Sequence, residues 1–351
     1  MTVLILVAAA AAVVSALLTG ALWRYARRTR LLDVPNVRSS HRIPTPRGGG
    51  LAIVIVVVLA LAALELAGAV DRRVSLAFAG ALPVAAVGWL DDRRGVTPLA
   101  RAAVQAACAA WALLWLYSGQ PERVAHAGVP GGPAGLALGV LAIVWLTNLY
   151  NFMDGIDGIA GGQAAVTGAV IAFLLACGGQ MGLAVLTAAI AGASLGFLAW
   201  NWSPAAIFLG DVGSGFLGFV FGALAGAGAR DGAVPLLAWI PLFAIFLVDA
   251  TVTLLRRIAR GDRWYAAHRN HAYQRAVQAG MRHATVSTIV TGLGLVAGLT
   301  GSAAVAGGRP EVLPAVAGAA LIGAAVLYLA VERRRPMTRE DGASPGSGST
   351  R

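Results

Sequence analysis

The sequence predicts an all-α, polytopic integral membrane protein with about eleven transmembrane helices. Of the 351 residues, 58% are hydrophobic and 12% are charged, whereas soluble domains contain about 25% charged residues. Eleven apolar runs approach the roughly 20 residues that cross a bilayer as a helix, and the loops between them share the arginines unequally. The remaining loops and tails are too short to hold a soluble domain of ordinary size.

The first run has no positive charge before it and four arginines after it, so we interpret it as a retained helix and not a cleaved signal peptide. Glycine and alanine occur throughout the runs, and such small residues let membrane helices pack closely. Cys108 and Cys177 lie inside runs and are expected to be packing residues without a disulfide. In chain order the runs are 3–23, 49–70, 74–90, 102–118, 135–152, 163–178, 182–200, 212–229, 232–254, 285–307 and 312–331.

The arginine distribution predicts the orientation. All 27 basic residues are arginine, and eleven spans would divide them into 22 on one side and five on the other. The positive-inside rule then predicts an outside N-terminus and a cytoplasmic C-terminus. Residues 1–332 are expected to form one transmembrane domain, and 333–351 a disordered cytoplasmic tail. The net charge of +11 favours membrane lipids or phosphate as partners; nucleic acid is disfavoured because the arginines are scattered and no binding motif is present.

Five aspartates lie in loops on the arginine-rich side, where a carboxylate beside a membrane is costly. Asp91 and Asp92 end the third run, Asp154 and Asp157 follow the fifth run beside glycines, and Asp211 precedes the eighth run. Each group has a structural alternative. The Asp91-Asp92 pair could lie in a solvated turn paired with arginine, Asp154 and Asp157 in an Asp-Gly turn, and Asp211 could be a helix N-cap. Each signal is therefore weak when taken alone.

Two further acidic features have different alternatives. Asn151 precedes Asp154 and Asp157 by steps of three, so in a helix the three side chains would form one polar ridge. Asp249 lies inside the ninth run, shortly before two arginines. It is equally consistent with a substrate contact and with an internal acid that has a polar partner.

Two loops combine histidine with arginine. The segment His268–His271, called the histidine segment below, lies in a basic loop, and helical spacing would align its two histidines with Arg275. This stripe favours a negatively charged ligand, because a two-histidine zinc site would lack a third ligand. The earlier loop places His41 and Arg47 beside prolines and three glycines and is also suited to phosphate. A membrane-surface anchor explains the arginines, though not the histidines.

All these acidic and basic residues fall on one side of the membrane under the arginine-based topology. Carboxylate oxygens suit Mg²⁺, with Mn²⁺ as an alternative. A metal beside arginine and histidine at the lipid surface predicts chemistry on a phosphate or diphosphate.

Five motifs occur in an order that resembles the bacterial polyprenyl-phosphate N-acetylhexosamine-1-phosphate transferases, which are glycosyltransferase family 4 relatives of the phospho-MurNAc-pentapeptide transferase. The resemblance runs from Asp33 to about Gln274. It implies a multi-pass catalytic domain in the bacterial cytoplasmic membrane, where an undecaprenyl phosphate oxygen attacks the β-phosphorus of a UDP-N-acetylhexosamine and releases UMP. The product would initiate an O-antigen or a cell-wall glycan. The motifs are Pro44–Gly50, Asp91-Asp92, Asn148–Gly158, Pro204–Gly215 and His268–Gln274.

The resemblance also implies roles for the acids. Asp211 and Asp92 would belong to the Mg²⁺ site, and Asp91 would remove or orient the proton of the lipid phosphate. Asp154 and Asp157 would bind the nucleotide sugar or assist the metal. The other substrate-binding candidates are polar or basic side chains of the motif loops: Asn151, His268, Arg269, His271, Arg47 and His41.

The histidine segment departs from two branches of the resembled family. The pentapeptide branch carries three consecutive histidines and the GlcNAc branch a His-x-His-His pattern, whereas this chain reads His-Arg-Asn-His. A pentapeptide donor is therefore disfavoured. The segment is more similar to the O-antigen-initiating branch that uses 6-deoxy sugars such as FucNAc or QuiNAc, and GlcNAc stays open.

Two other functional classes are weighed against this one. An intramembrane Mg-dependent prenyltransferase also uses Asp-x-x-Asp, as in Asp154 and Asp157, but it predicts a second aspartate-rich motif about 100 residues further on. Asp211 stands alone in that region. An ion-coupled transporter would place its carboxylates near mid-membrane in broken helices, whereas nearly all the acids of this chain lie near one face.

Overall fold

The computed structural model of the protein describes residues 1–35, 43–119, 131–263, 265 and 268–338. This part is almost entirely helical, which confirms the predicted all-α architecture. Short 3-10 helices, Leu236–Ala238 and Pro310–Val312, precede the tenth and thirteenth helices. The α-helices are α1 Thr2–Arg28, α2 Leu51–Leu66, α3 Arg72–Ala79, α4 Ala81–Arg94, α5 Pro98–Tyr117, α6 Gly132–Phe152, α7 Ile159–Cys177, α8 Met181–Asn201, α9 Gly210–Arg230, α10 Trp239–Ala259, α11 Ala272–Gln278, α12 His283–Ala306 and α13 Leu313–Arg334.

Ten segments of the described chain are long and apolar enough to cross a membrane. The remaining predicted run, 49–70, contains α2, an apolar helix of 16 residues. The third predicted run is divided into α3 and α4 at Gly80, where an added Cβ would lie 3.0 Å from the Phe219 ring and 3.1 Å from the Cys108 carbonyl oxygen. The protein is therefore a multi-pass membrane protein, and the orientation of its termini stays a prediction.

Helix α9 lies at the centre of the bundle and packs on α4, α5 and α6. A Cβ at Gly218 would lie 2.6 Å from the Thr147 Cα of α6, so glycine permits a close approach that any larger residue would prevent. Both cysteines are free; Cys108 is buried, as expected of a packing residue, whereas Cys177 is exposed. This packing brings the polar start of α9 next to the ends of α4 and α6.

A two-stranded antiparallel sheet joins the N-terminal part of the chain to the same region. Strand β1, Leu32–Asp33, pairs with β2, Thr45–Pro46, with Leu32 opposite Pro46. The Phe208 N–H donates to the Pro46 carbonyl at 2.8 Å, and the Gly49 N–H donates to the Phe208 carbonyl at 2.9 Å. The segment that carries Arg47 is thus fixed beside the start of α9.

Candidate functional site

An arginine bridges two of the predicted aspartates. Asp91 lies in the last turn of α4, Asp211 in the first turn of α9, and Arg101 in the first turn of α5. The Arg101 guanidinium donates to the Asp91 carboxylate and, at 2.8 Å, to Asp211 Oδ2. Asp91 also accepts the Val96 N–H at 2.5 Å, and Thr97 caps the start of α5 by accepting the Ala100 N–H at 3.3 Å. Two carboxylates from different helices therefore face one cation.

Asp92 makes different contacts from its neighbour. Its two carboxylate oxygens accept the backbone N–H groups of Asp211 at 3.1 Å and Val212 at 3.2 Å. The side chain is buried, with 2% exposure. An anion at a helix N-terminus is favoured by the helix dipole and by the free N–H groups. Asp92 therefore caps α9 from outside and fixes the backbone that carries Asp211.

Two glycines allow this contact. Gly210 has φ +77°, and a Cβ there would lie 2.6 Å from Asp92 Oδ2 and 3.0 Å from the Gly48 backbone nitrogen. A Cβ at Gly88 on α4 would lie 2.7 Å from the Val212 nitrogen. Side chains at these positions would separate α4 from α9.

Amide side chains extend the polar surface around Asp211. Asn151 Nδ2 donates to Asp211 Oδ1 at 2.8 Å and to Ser214 Oγ at 3.0 Å. One turn earlier, Asn148 donates to Gln105 Oε1 at 2.7 Å. A small cleft between α4, α5, α6 and α9 is lined by polar side chains of these helices: Arg101, Gln105, Asn148, Asn151 and Asp211. Amide and guanidinium donors of this kind are suited to the oxygens of a phosphate or a sugar.

The predicted helical ridge of Asn151, Asp154 and Asp157 does not form, because α6 ends at Phe152 and the two aspartates lie in the turn before α7. Asp157 Oδ2 accepts the Ala205 N–H at 3.2 Å and lies 3.3 Å from His283 Nδ1. Burial alone would raise the pKa of Asp157, but the hydrogen bond and charge of His283, together with the hydrogen bonds from Ser203 and the Ala205 N–H, outweigh it and hold this pKa below its usual value.

Asp154 has the opposite electrostatic environment. Burial, followed by the charges of Asp211, Asp92 and Asp157, raises the pKa of Asp154 well above its usual value. Three other carboxylates, from the same turn, from α4 and from the start of α9, therefore act on Asp154. A cation entering this region would reduce the repulsion between them and Asp154.

A buried carboxylate holds the histidine segment. Asp249 Oδ1 accepts the Ala272 N–H at 2.7 Å and lies 3.3 Å from His271 Nδ1, while Oδ2 accepts the Tyr273 N–H at 3.0 Å. The Tyr273 hydroxyl donates to the Phe152 carbonyl at 2.9 Å. Of the two alternatives for Asp249, these contacts favour an internal acid with polar partners. They also place the histidine segment beside the turn that carries Asp154.

The predicted stripe of histidines and Arg275 is wrong. Helix α11 begins at Ala272 with His271 as its N-cap, so His268 lies outside the helix. Its ring nevertheless lies 4.9 Å from that of His271, centroid to centroid. Arg275 points elsewhere: it is 1% exposed and donates to Glu332. It therefore belongs to the packing of the protein and not to a ligand surface.

The other basic candidates have mixed outcomes. Arg269 is half-buried, and its carbonyl accepts Gln278 Nε2 at 2.9 Å. Arg47 is also half-buried and lies near enough to Asp92 to act on it electrostatically. His41 lies outside the described residues.

The sequence interpretation missed three polar residues that touch this region: Arg101, Gln105 and His283. The first two are one turn apart on α5, just after the Asp91-Asp92 pair. Their helical spacing, matched by that of Asn148 and Asn151, was the signal available. His283 gave no comparable signal, because its partner Asp157 is distant in the sequence.

The fold and this arrangement define an integral membrane protein whose helix ends form an acidic, arginine-bridged centre. The model of the family described as glycosyl transferase family 4 matches residues 74–229. The chain is 32% identical to a decaprenyl-phosphate N-acetylglucosaminephosphotransferase of Mycolicibacterium smegmatis, over 95% of this chain and 89% of that protein. The chain therefore belongs to glycosyl transferase family 4, as the motifs predicted, and is an enzyme of the transferase class.

Two further relatives support this membership. The chain is 28% identical to a probable undecaprenyl-phosphate N-acetylglucosaminyl 1-phosphate transferase of Bacillus subtilis, over 74% of this chain and 73% of that protein. It is also 32% identical to a phospho-N-acetylmuramoyl-pentapeptide-transferase of Nostoc punctiforme, over 49% of this chain and 50% of that protein.

Enzymes of this family are generally metal-dependent. Within the described part of the chain, no three His, Cys, Asp or Glu residues are grouped to hold a metal by themselves. Mg²⁺ at phosphate-transfer sites is commonly held by one or two carboxylates, with substrate phosphates and water as the other ligands. Asp91 and Asp211, which both face the Arg101 guanidinium, fit that pattern of ligation.

Proposed function

We propose that this enzyme transfers N-acetylhexosamine-1-phosphate from a UDP-N-acetylhexosamine to undecaprenyl phosphate. An oxygen of the lipid phosphate attacks the β-phosphorus of the donor, the bond from that phosphorus to the bridging oxygen breaks, and UMP leaves with that oxygen. The observation that carries this proposal is the Asp91–Arg101–Asp211 cluster at the ends of membrane helices. Relatives named for prenyl-phosphate sugar transfer support it.

Asp211 and Asp91 are the proposed metal ligands, with Mg²⁺ as the metal and Mn²⁺ as the alternative. When bound, the ion would neutralise negative charge on the transferring phosphate. Asp92 was the second ligand expected from the sequence. Its two oxygens already accept N–H groups of α9, which favours a role in orienting Asp211 instead.

A general base is not needed for the acceptor. The second ionisation of a phosphate monoester lies near pH 6, so the lipid phosphate is largely deprotonated at neutral pH. The proton-removing role expected of Asp91 is therefore replaced by metal ligation. Arg101 can move from the carboxylates to a phosphate oxygen, because its guanidinium is partly exposed and offers several donors.

The donor is proposed to bind between the acidic centre and the histidine segment. Asn151 presents an amide at Asp211, while His268, Arg269 and His271 provide donors and positive charge for the diphosphate or the sugar. Asp157 is engaged by the Ala205 N–H and His283, which favours a role in shaping the turn. Asp154, in the same turn, is left as the better candidate for contact with the nucleotide sugar. Arg47, beside Asp92, adds a further positive charge next to the donor site.

The identity of the hexosamine rests on two opposing observations. Several relatives are named for N-acetylglucosamine, whereas the His-Arg-Asn-His segment favours a 6-deoxy sugar such as FucNAc or QuiNAc. The product would initiate an O-antigen or a cell-wall glycan. The arginine distribution supports catalysis at the cytoplasmic face of the bacterial inner membrane.

The test uses detergent-purified protein with undecaprenyl phosphate, Mg²⁺ and, separately, UDP-GlcNAc, UDP-GalNAc, UDP-FucNAc and UDP-QuiNAc. We expect UMP release with one donor, dependent on both lipid and metal. Asp211→Asn should abolish release while the protein stays folded. Near-normal release from that variant would contradict the metal assignment. A prenyltransferase would release inorganic diphosphate from a prenyl diphosphate, and a transporter would release neither product.

A further inference from the structure

The last membrane helix, α13, is tied to the histidine segment through Glu332. The Glu332 carboxylate accepts Arg256 Nη2 of α10 at 2.9 Å and also accepts the Arg275 guanidinium of α11. It accepts the Met337 N–H at 3.3 Å as well. One carboxylate therefore joins α10 and α11 to the end of α13 and the segment that follows it.

Arg275 transmits this contact to the histidine segment. Its Nε donates to the Asn270 carbonyl at 3.0 Å, and Asn270 lies between Arg269 and His271. Arg275 is 1% exposed, and its guanidinium carbon lies 5.1 Å from the centroid of the Tyr328 ring. A buried guanidinium needs a paired anion, because an unpaired buried charge is strongly unfavourable.

Helix α11 is consequently held at two points. Asp249 binds its first N–H groups, and Glu332 holds Arg275, its fourth residue. We propose that Glu332 is a positioning residue for the sugar-nucleotide donor, acting through Arg275 and Asn270 on the histidine segment. This inference rests on the proposed function, because it takes the donor to bind at His268–His271. Glu332 itself touches none of the residues of the acidic centre.

The experiment compares donor and acceptor kinetics in Glu332→Gln, with Glu311→Gln as the matched control. Glu311 pairs with Arg309 at 3.8 Å, and both side chains are about 70% exposed, so this pair is expected to contribute little. Glu332→Gln keeps the side-chain shape but leaves Arg256 and Arg275 near each other without a neutralising charge. Thermal unfolding of each protein in detergent reports the folded fraction.

We expect Glu332→Gln to raise the KM for the UDP-sugar about tenfold, the change that follows from losing one charge-assisted hydrogen bond. The KM for undecaprenyl phosphate should stay the same, and Glu311→Gln should match the wild type. Glu332→Asp keeps the charge and should give an intermediate donor KM. A purely structural role would instead lower the unfolding temperature and leave both KM values of the folded protein unchanged.

An unchanged donor KM in folded Glu332→Gln would overturn the inference. If that variant does not fold, an unchanged donor KM in folded Glu332→Asp would overturn it. If the wild type itself releases no UMP with any donor, the proposed function fails. Direct binding of a UDP-sugar to the purified proteins then tests Glu332 separately, with about tenfold weaker binding to Glu332→Gln as the expected result and equal binding as the contrary one.

Discussion

Replacing Gly210 by alanine should disable the acidic centre by displacing Asp92, which holds the start of α9. Gly210 has φ +77°, and the new Cβ would lie 2.6 Å from Asp92 Oδ2. Asp92 cannot yield freely, because its oxygens hold the N–H groups of Asp211 and Val212. The Gly48 backbone nitrogen lies 3.0 Å from the same Cβ position, so the new methyl group cannot shift towards Gly48 either.

The loss of folding free energy in Gly210→Ala has two parts. A residue with a Cβ in the left-handed region costs about 1–2 kcal/mol, and losing a hydrogen bond to a charged group costs a further 1.5–3 kcal/mol or so. Gly232→Ala separates the two contributions. Gly232 has φ +71°, yet an added Cβ there meets nothing within 4 Å. This control should show the backbone cost alone.

Thermal unfolding and UMP release of the two variants test the prediction. Both should be destabilised, Gly210→Ala the more so. A displacement of about 1 Å at a reacting group can reduce rates about 100-fold, so we expect kcat to fall at least tenfold in Gly210→Ala and to stay unchanged in Gly232→Ala. Equal turnover in the two variants would refute the idea that Asp92 orients Asp211 through the start of α9.

Three further outcomes follow from the site. Asp249→Asn should raise the donor KM several-fold and spare the acceptor KM, because the histidine segment loses its anionic anchor; equal changes in both would count against this. Burial raises the pKa of Asp154, so its contribution to the free energy of unfolding is fully present at low pH and is lost as the pH rises. Asp154→Asn should therefore unfold at a higher temperature than the wild type between about pH 5 and 8. The pKa of Asp157 is lowered despite burial, so its contribution to the free energy of unfolding is present above the usual pKa of 3.8 and is lost as the pH falls below that value. Asp157→Asn should therefore be less stable at neutral pH, and this difference should vanish in acid; a pH-independent difference would contradict the His283 pairing.

Local rules were sufficient for much of the fold. Apolar length and composition identified the membrane helices. The division between α3 and α4 at Gly80 was not predicted, because the apolar pattern of this run does not mark it; the position packs closely on Phe219 and the Cys108 carbonyl of other helices.

The candidate site was predictable in its residues and less so in their contacts. Asp91, Asp211 and Asn151 were selected as acids or amides near the membrane edge, and the structure brings them together. The capping role of Asp92 requires knowing that α9 starts against α4, which the sequence does not specify. Arg275 was misassigned because a charged residue near histidines suggests a ligand site, whereas tertiary packing pairs it with Glu332.

The position of a radioactive phosphorus atom tests the central claim most directly. Purified protein would be given undecaprenyl phosphate, Mg²⁺ and the accepted UDP-N-acetylhexosamine labelled at its β-phosphate. Sugar-1-phosphate transfer predicts that the label moves into the lipid and that the released nucleotide is unlabelled UMP. Recovery of the label in released UDP would mean that the sugar alone is transferred, which would contradict attack at the β-phosphorus.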